Sequence, residues 1–330
     1  MPGKTKPKPA SRRATSAARE AARTPPPGWK DPLAQQQPLV SGHWLLYAVL
    51  GVVGLAAISA YLTLCLLFYQ GQWQVVFHPS RTITSTPANV GLKYDDVRFD
   101  FTGTGTPQLA GWWIPAEPGA SLSGHTLLLL HDGRGSLSDL TEQLKVLHSL
   151  GINIFAFDYR GFGQSADTHP SEERVYEDAD AAWNYLTDTR HLDPKSIVLY
   201  GTGLGATIAA EAAIRHPESP ALVLENPAPP ALSLIAADSR TSILPIRWLF
   251  RDRFEIVPRL RSLSVELRPE TKTIVETGKL VPSPEIVRQE TQNPSGPKFL
   301  LFLGPSPATD ARYLPTLREF LTTIQTSGEL

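Results

Sequence analysis

Gly201-Thr202-Gly203-Leu204-Gly205 lies between an apolar run at residues 196–200 and an alanine-rich run at 206–214, and the architecture of the chain can be read outward from it. A short strand, a sharp turn and a helix in that order form the setting of the G-x-S-x-G turn, which lifts a serine hydroxyl clear of a sheet. Gly203 stands where the hydroxyl is needed. The middle residue of such a turn has a strained backbone, which glycine adopts with almost no penalty. These residues therefore argue for a fold more firmly than for a reaction.

A chain of 330 residues with 42% hydrophobic content has enough apolar material for one large α/β core, and its net charge of -1 gives no general attraction to nucleic acid. Charge is distributed unevenly. Lys4, Lys6, Lys8, Arg12, Arg13, Arg19, Arg23 and Lys30 face only Glu20 and Asp31 within residues 1–42, a Pro-, Ala-, Ser- and Gln-rich segment expected to be a disordered basic tail. Residues 44–69 then carry no charge; at 1.5 Å per residue they reach roughly 39 Å, enough to cross a hydrocarbon layer of about 30 Å with tilt.

The expectation is one transmembrane helix over 43–69. A cleaved signal peptide is the alternative, but the run is too long for one and no A-x-A site closes it. Arg12-Arg13 stands too far upstream to act as a twin-arginine signal. Basic residues precede the helix and only Arg81 follows closely, so the positive-inside rule places the tail in the cytoplasm and the domain of residues 70–330 on the periplasmic or extracellular side. The single Cys65 lies inside the span and leaves the domain without a disulfide.

Beyond a short connector at 72–79, residues 93–101 and 109–114 read as antiparallel strands. The apolar runs at 126–130, 153–157, 196–200 and 221–224 read as buried parallel ones. Helical patterns at 137–150, 172–187 and 204–215 alternate with them, which calls for a mostly parallel sheet covered by helices on both faces.

Three segments then carry a family resemblance: Leu127-Leu128-Leu129-Leu130-His131-Asp132-Gly133, Phe157-Asp158-Tyr159-Arg160-Gly161-Phe162-Gly163-Gln164-Ser165, and Val198 through Gly205. Their order and spacing resemble the α/β-hydrolases, in the membrane-anchored, serine-peptidase-like and lipase-like branch, over roughly residues 73–325. The resemblance implies an α/β-hydrolase fold preceded by one transmembrane helix. It also implies positions for a Ser-Asp-His triad. The serine position falls on Gly203, and the acid position falls after the strand at 271–282, where the spacing is shortened and no Asp remains. The His position falls in Gly304-Pro305-Ser306-Pro307-Ala308-Thr309-Asp310, and no His follows His216. The family's H-G-x-G-G oxyanion loop corresponds to His131-Asp132-Gly133-Arg134-Gly135, where Asp132 replaces a Gly.

Hydrolysis by a triad needs a nucleophile, a base within reach and a group that orients the base. Glu225 sits where some members relocate their acid, beside the bland reading of an N-cap or salt-bridge residue. The hydroxyl of Thr202 is expected to point away from the apex, and Ser165 and Asp158 to fix the loop after their strand. A carboxylate at Asp132 opposes the negative charge that develops in acyl transfer, while the Leu204 N–H, at a helix start, is expected to keep a weak anion site. Thr202, Gly203, Leu204, His131 and Asp132 are thus a remnant elbow and oxyanion region with no catalytic residue.

Gly201-x-Gly203-x-x-Ala206 followed by Glu225 also fits a dinucleotide fingerprint, but βα units precede it where that fingerprint normally opens a domain. Residues 227–263 occupy a lid-like position; Arg247, Arg251 and Arg253 interleave there with Trp248, Phe250 and Phe254, a pattern that suits anionic lipid. The competing reading is a helix with its apolar face on the sheet and its arginines in water. No metal-ligand spacing occurs, so no metal and no cofactor are expected. The reading is a single-pass cell-membrane pseudo-hydrolase whose partners are membrane lipid and a small-molecule or protein ligand, not nucleic acid. An active esterase or peptidase with displaced groups is the alternative, and a nucleotide-binding module the weaker one.

Overall fold

A computed structural model of the chain describes residues 3, 28–30, 42–100, 108–236, 241–266, 274–277, 298–303, 311 and 313–325. Nearly all of the tail, and the segments 278–282 and 304–310 that correspond to the acid and His positions, lie outside the described residues. The chain divides into two compact units, Met1–Thr63 and Leu64–Leu330. The described part of the first is dominated by helix α1, Gly42–Gly71, which continues into the second. Its 30 residues include no Asp, Glu, Lys or Arg and none of their side chains is buried, so the helix is long and apolar enough to cross a membrane.

The second unit is built on an eight-stranded sheet: β2 Asp95–Phe99, β3 Leu109–Ile114, β4 Leu122–Leu130, β6 Ile152–Asp158, β7 Ile197–Thr202, β8 Ala221–Glu225, β9 Ile274–Thr277 and β10 Lys298–Leu303. Their spatial order is β2-β3-β6-β4-β7-β8-β10-β9. β3 is antiparallel to β2 and β6; every other pairing is parallel.

Each central strand is an apolar run, and its alternation sorts the side chains onto two faces. Leu128, Leu130, Phe155, Phe157, Ile197, Leu199, Leu222 and Leu224 join the core on one face. Leu127, Leu129, Ile154, Ala156, Val198, Tyr200 and Val223 join the core on the other. The first face is covered by helices Glu172–Asn184, Gly205–Arg215 and Ile256–Glu266, the second by Thr141–His148 and Tyr313–Gln325. This is the α/β-hydrolase fold, with the C-terminal ends of β4, β6, β7 and β8 along one edge.

Two segments depart from the sequence reading. The 72–79 segment is more than a connector: it forms a helical turn, Trp73–Val76, and a two-residue strand β1, His78–Pro79, parallel to β5, Arg134–Gly135. Two residues are too short to show periodicity, and the partner is distant in sequence. The 137–150 helix is split into a 3₁₀ turn, Leu137–Leu140, and the α-helix Thr141–His148, while the helix from Glu172 ends at Asn184 and loosens into a π-turn, Tyr185–Thr189. At the far side of the sheet, β10 pairs with β8 and leaves β9 at the edge.

Candidate functional site

Gly203 has φ +59°, in the left-handed region that side chains disfavour, at the junction between β7 and the helix Gly205–Arg215. Its flanking glycines are there for space. A Cβ on Gly201 would lie 2.3 Å from the Gly205 carbonyl oxygen, and one on Gly205 would lie 2.0 Å from that of Leu130. The helix can therefore press onto β7 and β4 only if both residues lack side chains. Backbone hydrogen bonds tie the apex to the next strand: the Gly203 N–H donates to the Glu225 carbonyl at 2.9 Å, and the Gly203 carbonyl accepts from the Ala228 N–H at 2.9 Å.

Asp132, just past the end of β4, closes over this turn. Its Oδ1 accepts from the Leu204 N–H at 2.8 Å and from the Gly133 N–H at 2.8 Å. A Cβ on Gly203 would lie 2.6 Å from both Cγ and Oδ1 of Asp132. The weak anion site expected at Leu204 is thus filled from within: its N–H already holds a carboxylate, and that carboxylate lies where a side chain on Gly203 would be. The first turn of a helix favours such a charge, which gives Asp132 a capping role.

His131 is buried beneath the same loop. Its Nδ1 faces the Asp132 carbonyl at 2.6 Å and its Nε2 lies 3.8 Å from Asp158 Oδ1, while the ring packs on Tyr159 and Phe162. Burial lowers its pKa to about 4, so it is a neutral ring at neutral pH. Asp158, at the end of β6, is raised by burial to about 7 although its Oδ1 accepts from the Leu137 N–H at 2.9 Å. Ser165 donates to the Asp158 carbonyl at 2.5 Å and accepts from the Ala110 N–H at 2.9 Å, so this strand-end pair holds its loop to β3. In the same segment Arg160 is ion-paired with buried Asp178 at 2.6 Å and with Glu177 at 2.6 Å.

Glu225 departs from its bland reading. It is neither a helix N-cap nor a member of an ion pair in the described structure. The carboxylate is buried, accepts from the Tyr200 hydroxyl and from Gln143 Nε2 at 3.0 Å, and lies next to Tyr313, whose hydroxyl meets that of Tyr200. Burial raises its pKa to about 7 against the lowering effect of the two tyrosine hydroxyls. The group that a dinucleotide ribose would need is therefore already engaged. Tyr200 precedes Gly201 and faces the second core, but nothing in the sequence pairs it with Tyr313, 113 residues away.

Thr202, Gly203, Leu204, His131 and Asp132 are thus gathered at one strand edge, with Glu225 paired in register with Thr202 on the neighbouring strand. A cavity of about 80 Å³ lies elsewhere, over β2 and β3, with Asp96, Arg98, Trp112, Leu137, Asp158 and Gln164 in its wall. In the lid-like region, short helices Ala231–Ala236 and Ile246–Leu249 precede Ile256–Glu266, and Phe250 and Phe254 are buried. Trp248 is 90% exposed, which the packed-helix reading of this stretch does not accommodate.

Residues 124–262 match the family described as serine aminopeptidase, S33. An uncharacterized protein of Mycobacterium tuberculosis is 33% identical over 156 residues, which are 47% of this chain and 53% of that protein. An alpha/beta hydrolase domain-containing protein of Arabidopsis thaliana is 30% identical over 149 residues, 44% of this chain and 47% of its own length. Human alpha/beta hydrolase domain-containing protein 17C is 35% identical over 125 residues, 37% and 36% of the two chains. The match thus spans about half or less of each of these relatives. Among solved structures, an esterase of Pyrococcus furiosus superposes with TM-score 0.56 at 20% identity, over 76% of this chain and 98% of its own. An alpha-beta hydrolase of Vibrio vulnificus gives 0.51 at 21%, over 72% and 83%. Strand order, the turn at Gly203 and these likenesses give this chain the α/β-hydrolase fold, and its residues 124–262 are similar to the serine aminopeptidase, S33 family.

Proposed function

We propose that this protein is a membrane-held pseudo-hydrolase: a hydrolase domain that no longer turns over esters or peptides and acts through binding or scaffolding, anchored by α1 in a single pass. One observation carries the reading. The Asp132 carboxylate accepts the Leu204 N–H and fills the space above Gly203, so nucleophile and oxyanion donor are lost together. An oxyanion hole works by offering unoccupied, preoriented donors where negative charge develops; a donor already bound to a carboxylate offers repulsion instead. The buried His131 is no substitute base: burial lowers its pKa to about 4, and Nε2, the ring atom left to accept a proton, is turned toward Asp158 Oδ1 at 3.8 Å.

Labelling of the purified full chain with a fluorophosphonate probe tests this, since the probe reacts only with an activated serine. The expected result is no labelling, and no saturable hydrolysis of p-nitrophenyl esters of any chain length. Stoichiometric labelling, or hydrolysis abolished by Thr202→Ala or Glu225→Ala, would establish the alternative, an active enzyme with displaced groups.

A further inference from the structure

Residues 241–254 are held against the domain along one side and exposed along the other. The Arg251 N–H donates to Gln72 Oε1 at 2.7 Å, and its guanidinium lies 4.9 Å from the centre of the Tyr69 ring. Phe250 packs with Ala231, Ile235 and Phe68. Glu172 accepts from the N–H groups of Arg253 and Phe254 at 2.6 and 3.1 Å, and Asp252 is turned inward to cap Glu172. On the outward side stand Trp248, 90% exposed, Ile243, 65% exposed, and the exposed residues Arg247, Arg251 and Arg253. Asp252 is the sole acidic residue from 241 to 254, and it is buried.

Tyr69, Phe68 and Gln72 belong to the last turns of α1 and the residues just after it, where an apolar helix of this length leaves the hydrocarbon layer. A segment clamped onto those residues is held at the level of the headgroups. We infer that residues 241–253 are a second membrane contact, in which Trp248 and Ile243 enter the interfacial layer of the bilayer that α1 crosses and the three arginines meet its anionic headgroups. The inference rests on the reading of α1 as a membrane span. The chemistry is specific to that occupant: tryptophan favours the boundary between chains and headgroups, and arginine beside it is attracted to anionic lipid. The consequence is a domain fixed in height and rotation over the membrane, with the Gly203 edge presented in one orientation.

Nitroxide labels on the full chain in nanodiscs test this. Three positions are used: native Cys65, the chain's one cysteine, and, in a Cys65→Ser background, Ser242→Cys beside the patch and Lys195→Cys on the exposed turn before β7. Discs contain phosphatidylcholine alone or mixed with phosphatidylglycerol, and each label is assayed for collision with oxygen and with a water-soluble nickel chelate. The expected result is an oxygen-favouring label at 65, a nickel-accessible label at 195, and at 242 a loss of nickel access in discs containing phosphatidylglycerol. Arg247→Glu or Trp248→Ala should reverse that loss. If 65 is immersed while 242 stays as nickel-accessible as 195, the lid contact is wrong and the span stands; the face would then be free for a protein partner. If 65 itself is nickel-accessible, the span and the contact fall together.

Discussion

At the scale of single residues, Gly203 and Asp132 form one unit. Gly203→Ala meets two penalties, a side chain at φ +59° and a Cβ 2.6 Å from the Asp132 carboxyl, and should lower unfolding stability by about 1 kcal/mol or more. Asp132→Gly removes the cap on the Leu204 N–H and should itself cost about 1 kcal/mol. The double variant should lose less than the sum in denaturant unfolding, because the strain of φ remains while the collision is gone; strict additivity would show that the two side chains do not compete for space. Gly203→Ser in the Asp132→Gly background regains a hydroxyl and an open N–H but no base, so ester hydrolysis should stay at background. Glu225 sets a pH dependence. Its pKa rises from an ordinary 4.5 to about 7 on folding, so the folded chain keeps a proton that the unfolded chain has released, and stability falls as pH rises through that window. Compared with Glu225→Gln, wild type should weaken by up to roughly 3 kcal/mol between those limits and change no further above them. His131 acts in the opposite sense, its contribution present above about 6.5 and lost as pH falls toward about 4, so the difference between the two proteins, not the wild-type curve alone, reads out Glu225.

At the scale of elements, the loop after β6 is fastened to the helix Glu172–Asn184 by Arg160 and Asp178, both buried. Asp178→Ala leaves a guanidinium largely out of water without its buried counter-charge, beside the half-exposed Glu177 and the Arg174 carbonyl, and should cost about 3–5 kcal/mol, measurable by thermal or denaturant unfolding; a change within a few tenths would mean that the pair is dispensable. These elements were legible to different degrees. The buried strands β4, β6, β7 and β8 could be read to within a few residues, because four or five consecutive apolar residues between glycines and polar loops have few other uses. The helix at 172–187 was readable from its acidic first turn and apolar face. The pairing of β1 with β5 was not, since it depends on the Gly133 carbonyl meeting the His78 N–H across 55 residues, with no local pattern at either end.

At the scale of the whole molecule, α1 predicts a protein that stays in the membrane fraction through alkaline carbonate washing and leaves it only with detergent. Release by carbonate would remove the span and the orientation argued from the basic tail. Trp248→Ala should leave the unfolding midpoint unchanged, because the indole is 90% exposed in the described structure. The sequence by itself determined the apolar helix, the class of fold, the glycine at the apex of the turn and the lack of any His after His216. Each follows from composition or short-range pattern, where a residue's neighbours in the chain are its neighbours in space. Only the tertiary structure decided that Asp132 closes over Leu204 and Gly203, that Glu225 is held by Tyr200, Gln143 and Tyr313, and that Trp248 is exposed beside residues clamped to the end of α1. The partners in these contacts lie 25 to 179 positions apart in the chain. Which strand end meets which loop is set by sheet order and by the burial of apolar faces, not by any periodicity near the residues that touch.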